Sequence, residues 1–141
     1  MKERGFNLLE IIITLSIFML TLIIVVPVYS TWIPLKQLKF TSSQISMSLN
    51  LAKCKAIFSG TKYRINFQHN SYYLEKYINE KKTWEIDGRI YHTENVSIKS
   101  NNNPVFHPDA KITSMCTIIL SNKAGQIKIT LAITGRIKIT D

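Results

Sequence analysis

The chain has 141 residues, and its 18 basic and 9 acidic side chains give a formal charge of +9. That length leaves room for one folded domain besides a single apolar segment, and two cysteines without CxxC spacing exclude a cysteine zinc site. The basic excess suits a polyanion (nucleic acid, a wall polymer or lipid headgroups), or simply a soluble basic surface.

The first element is set by Lys2, Arg4, Gly5, Phe6 and Glu10, followed by sixteen nearly all-apolar residues, 11–26. The two cations favour a cytoplasmic N-terminus. A carboxylate at the edge of a hydrocarbon segment costs about 3 kcal/mol on insertion scales, so Glu10 marks function. Residues 6–28 supply the ~20 apolar positions that a membrane span needs. Two plainer readings compete. A cleaved secretory signal would have a shorter apolar core, no adjacent acid and a small-residue cleavage site, for which 28–30 is a weak candidate. A single-span anchor would carry Glu10 by accident.

The order basic leader, Gly5, Phe6, three residues, Glu10, apolar helix resembles a type IV prepilin signal. The resemblance implies cleavage after Gly5, a new and N-methylated terminus at Phe6, and a role for Glu10 in assembly. It also expects a helix-softening proline late in the apolar run, where Pro27 stands. The sequence departs from the common pattern at Asn7, where threonine is usual, and in its short leader. The physical logic is plain. A neighbouring subunit's Phe6 ammonium neutralises Glu10 in lipid, so each subunit carries a demand that the next one satisfies, and this sets axial register.

The helix is expected to continue beyond the membrane, with kinks possible at Pro27 and Pro34. Its apolar residues fall on two stripes: Leu38, Ile45, Leu49, Ala52, Ala56, and Phe40, Met47, Leu51, Cys54, Phe58. Both have helical spacing, and their two-residue offset separates them by about 200°. Two opposed stripes predict burial on both sides, one on this chain's sheet and one on neighbouring helices, or else a helix buried centrally in a monomer. The bulkier Phe40–Phe58 stripe is assigned to the sheet. Ser59-Gly60 ends the helix with a left-handed cap.

Short β-rich runs follow at 63–68, 72–78, 83–86, 89–92, 96–98, 117–120, 127–133 and 137–140. Residues 66–70 read as a hairpin turn, and 100–108 as a loop. In the last hairpin a three-residue loop, Ile133-Thr134-Gly135, sets Leu131 against Ile137 and Ile129 against Ile139. That loop needs a left-handed third residue, which Gly135 supplies. Lys128, Arg136, Lys138 and Thr140 then share the face away from the core. Tyr63 and Tyr72 are candidates for base stacking, but such strand aromatics more often serve the core or cross-strand pairs.

Gly135-Arg136-Ile137-Lys138 resembles the C-terminal motif of minor pilins of the GspH/FimT type, which in some members belongs to a DNA-binding surface. Lys138 stands where arginine is commoner, and lysine lacks arginine's bidentate fork. The stretches FNLLEIIITLS, GTKYRINFQHNSYYLEKY and ITLAITGRIKI together resemble minor pilins of the Gram-positive competence apparatus. The resemblance implies an α+β, type IV pilin-like fold, a long N-terminal helix packed on an antiparallel sheet. It divides the chain into a leader (1–5), a transmembrane assembly helix (6–31), an amphipathic continuation (32–60) and a β domain (61–141). It implies a single-pass membrane precursor with its C-terminal domain outside, later a surface filament. Its partners would be other pilins, the prepilin peptidase, an assembly ATPase with its platform, and double-stranded DNA.

The expected DNA contacts are Arg136, Lys138, Lys128 and, in the preceding turn, Lys123; the competing reading of Arg136 and Lys138 is a solvated outer strand face or a charged guard against edge-to-edge aggregation. Phosphate binding by such cations is salt-dependent and tolerant of sequence. Cys54 and Cys116 are either a bridge from helix to sheet or two free thiols. No nucleophile, metal or phosphate-loop motif is present, so no enzyme, cofactor or metal is expected. A secretion pseudopilin and a membrane-anchored surface binding module are the alternative functions.

Overall fold

The computed structural model describes residues 7–140. Gly5 and Phe6, the expected cleavage junction, lie outside the described residues. One helix, α1 (Leu8–Ser59), is followed by eight strands. They are β1 (Tyr63–Phe67), β2 (Ser71–Ile78), β3 (Thr83–His92), β4 (Ser97–Ser100), β5 (Val105–Phe106), β6 (Cys116–Asn122), β7 (Gly125–Leu131) and β8 (Ile137–Thr140). The chain divides into two compact units, 1–33 and 34–141.

In the first unit the helix is long and apolar enough to cross a membrane. Leu8, Ile11, Ile17, Phe18, Ile23, Val26 and their apolar neighbours are exposed on all sides. Four of its hydroxyls are satisfied within the helix. Thr14, Ser16, Thr21 and Ser30 donate to the carbonyls of Ile11, Ile12, Phe18 and Pro27 at 2.7–2.9 Å. Such back-bonding satisfies these four hydroxyls without water, as a hydrocarbon environment requires.

The second unit carries the core. Its strands form two four-stranded antiparallel sheets, ordered β3-β2-β1-β5 and β4-β6-β7-β8. The second sheet meets the β1–β2 turn of the first where Ile98 N of β4 donates to His69 O at 2.7 Å. Leu38, Ile45, Leu49, Ala52 and Ala56 are buried with Tyr63, Ile65, Tyr72, Ile118, Leu120, Ile129 and Leu131 in one cluster. Phe40, Met47, Leu51, Cys54 and Phe58 are exposed. The expected assignment of the two stripes is therefore reversed. Bulk was the wrong guide: the small Ala52 and Ala56 are buried with Leu38, Ile45 and Leu49, whereas Phe58, 89% exposed, stands on the outer side.

Two further expectations need correction, and the open choice for the cysteines falls to free thiols. Residues 83–86 and 89–92 are one strand, because a bulge between Tyr73 and Glu75 in the β2–β3 register absorbs Asp87-Gly88, with Gly88 at φ 104. Two-residue β5 pairs with β1 inside the expected loop; it is too short to show a period. No disulfide joins Cys54 to Cys116. Both are free, Cys54 on the exposed helix face and Cys116 wholly buried. The helix end is as expected, with Gly60 at φ 64.

Candidate nucleic-acid interface

The candidate interface is built on the β7–β8 hairpin. Ile129 pairs with Ile139 and Leu131 with Ile137, as a three-residue loop requires. Gly135 takes φ 82, and its N–H donates to Ala132 O at 2.9 Å. Alternation then sorts the side chains. Ile127, Ile129 and Leu131 are buried, while Lys128, Arg136 and Lys138 are exposed. Lys128 opposes Thr140 and Lys138 opposes Thr130, so the two lysines are diagonal neighbours on one face. Arg136 continues that face beside Ala132, whose N–H donates to the Arg136 carbonyl at 3.0 Å.

The loop tip also approaches the helix. A β-carbon on Gly135 would lie 2.9 Å from Lys53 Nζ. Lys53 was not among the expected site residues. Nothing in its local sequence distinguishes it from other helix lysines, and only the tertiary contact brings it to the hairpin.

Lys123 is exposed in the β6–β7 turn, at the opposite end of β7 from Arg136. The turn is held by Asn122, whose side-chain amide donates to Pro34 O at 2.7 Å while its carbonyl oxygen accepts from Ala124 N at 2.8 Å. So Lys128, Arg136 and Lys138 are brought together, and Lys123 stands apart from them.

Among the described residues none of these four cations is in an ion pair; Lys55, Arg64, Lys81 and Lys111 are paired, with Asp87, Glu75, Glu85 and Asp109. The exposed partners Glu85 and Asp109 raise the pKa of Lys81 and Lys111 by hydrogen bonding.

Tyr63 and Tyr72 are core residues, 4% and 1% exposed, and offer no face to a base. Tyr72 stacks on Tyr91 with centroids 5.1 Å apart. Burial pushes its phenol pKa up, against a hydrogen bond from Ser48. Burial likewise raises the Cys116 thiol, which donates to Asn102 O at 3.1 Å. Glu10 is exposed in the first turn of α1, where a carboxylate complements the helix dipole.

Neither a protein-family model nor a curated protein sequence matches the chain. Solved structures do. The minor pseudopilin EpsH of the type 2 secretion system of Vibrio cholerae aligns with TM-score 0.64 at 12% identity, over 74% of this chain and 96% of that one. The type IV minor pilin FimU of Pseudomonas aeruginosa aligns with TM-score 0.61 at 11% identity, over 75% and 90%. At such identities the likeness is one of fold. The chain has the α+β, type IV pilin-like fold, one long N-terminal helix with antiparallel sheets, that EpsH and FimU share.

Proposed function

We propose that the chain is a minor pilin subunit of a competence (type IV-like) pseudopilus and acts in DNA binding and uptake during natural transformation. It is made as a single-pass precursor with its N-terminus cytoplasmic, cut after Gly5 by the prepilin peptidase and N-methylated at Phe6. Glu10 and the apolar helix assemble it with other pilins, driven by an ATPase through a membrane platform, into a surface filament. Lys128, Arg136 and Lys138 then face double-stranded DNA, with Lys123 an outlying contact. The role is structural and binding, not catalytic.

The observation that carries the DNA reading is the outer face of the β7–β8 hairpin, where three cations lie together and, among the described residues, none is in an ion pair. The likeness of three stretches to ComGD, a Gram-positive competence minor pilin, supports it. A second reading has its own support: the fold of EpsH equally suits a minor pseudopilin of a type II secretion system.

Replacing the chromosomal gene by an Arg136→Ala/Lys138→Ala version separates the two. Loss of DNA uptake with normal protein export supports competence. Unchanged uptake with impaired export supports secretion.

A further inference from the structure

We infer that the DNA-binding surface extends beyond the hairpin across all four strands of the second sheet, with Lys99 at its far edge and Lys53 at the hairpin tip, and that it fits the phosphate backbone of duplex DNA. This rests on the DNA reading above and enlarges its site.

The register makes the case. Lys99 opposes Ile119, Ile119 opposes Lys128, and Lys128 opposes Thr140. Directly opposed residues share a face, so these four form one transverse row. At two strand spacings, Lys99 and Lys128 stand about 10 Å apart. Lys128 and Lys138, on the diagonal, are about 7–8 Å apart. Both ends of the row are exposed. Between them Ile119, Gln126, Ile127, Lys128 and Thr140 line a shallow depression of about 250 Å³. Lys53 Nζ lies against Gly135, one residue from Arg136.

A merely solvated face would interleave both signs of charge. β4, β6, β7 and β8 contain three lysines and no acidic residue. The first sheet does the opposite, tying Arg64 to Glu75 across β1 and β2. Single-stranded nucleic acid is usually held by aromatic stacking platforms. These four strands hold no aromatic residue. They offer lysines and, at Thr130 and Thr140, hydroxyls, which are groups that contact phosphates.

The test uses the full-length chain in a neutral detergent and a short fluorescent DNA duplex, titrated by anisotropy at several salt concentrations. The variants are Lys99→Ala, Lys53→Gln, Arg136→Ala/Lys138→Ala and, as a control in the β2–β3 turn, Lys81→Ala. Lys99→Ala and Lys53→Gln are each expected to weaken binding at least about threefold and to lower the salt slope by about 1, the signature of one lost phosphate contact, while Lys81→Ala binds as wild type. If both single variants match Lys81→Ala while the double variant loses affinity, the enlarged surface is overturned and the hairpin site stands. If the unaltered chain binds no duplex, the DNA reading falls and this inference with it. Tighter binding of single strands, or displacement of the duplex by a polyglycerol phosphate at equal phosphate concentration, would overturn the choice of duplex.

Discussion

Lys53 and Gly135 meet across the junction of helix and hairpin, with Nζ 2.9 Å from the place a β-carbon would take. Gly135 also holds φ 82, which L side chains adopt only at a cost. Gly135→Ala is therefore expected to destabilise the protein by roughly 1–2 kcal/mol and to displace Lys53 from the loop tip. Urea unfolding of the variant measures the first effect. A stability equal to wild type would show that the loop relaxes freely.

The two helix stripes yield opposite expectations. Ile45→Ala or Leu49→Ala removes a side chain that is at most 1% exposed, and should cost about 2–5 kcal/mol. Met47→Ala or Phe58→Ala alters the exposed stripe and should stay within about 0.5 kcal/mol. Thermal unfolding of the four variants decides which stripe the sheets cover. A large loss at Phe58 would restore the assignment made from bulk.

Cys116 and Tyr72 are both pushed up by burial. An acid whose folded pKa is raised lends stability that is complete below its unfolded value and lost as pH rises through the folded one. Stability should thus be unaffected by these groups at neutral pH, fall above about pH 8.5 as the thiol begins to titrate, and fall again above about pH 10 with the phenol. Tyr72→Phe should remove the second fall, read from urea midpoints across that range. An unchanged alkaline profile would show that the buried phenol contributes nothing there. The same burial makes Cys54 alone alkylatable in the native chain, with Cys116 reacting on unfolding; mass spectrometry counts the adducts.

Glu10→Ala should leave cleavage after Gly5 intact and abolish incorporation into filaments. Mass analysis of the membrane-extracted chain reports cleavage, and immunolabelling of sheared filaments reports incorporation. Normal incorporation would remove Glu10 from the assembly mechanism.

Much of this fold was legible because its signals are local. The Ile-Thr-Gly loop and strict alternation in 127–140 fixed the β7–β8 register, and Ser59-Gly60 marked the helix end. What failed depended on tertiary choice. Two stripes of equal spacing cannot reveal which one the sheets cover, and the stripe with Ala52 and Ala56 is the buried one. The Asp87-Gly88 pair reads as a turn, yet the sheet accommodates it as a bulge. Lys99 lies on the outer face by simple alternation with Ile98, but its row with Lys128 runs through β6, a pairing no local pattern encodes.

The central claim is that the outer face of the second sheet binds DNA through Arg136 and Lys138. The most direct measurement is anisotropy of a labelled duplex with the full-length chain in neutral detergent, over a salt series, beside the Arg136→Ala/Lys138→Ala variant. The account expects affinity that falls steeply with salt, with the slope reduced by about 2 in the double variant. No binding at low salt, or equal binding by both proteins, would contradict it and leave the basic face to pilin contacts or solubility.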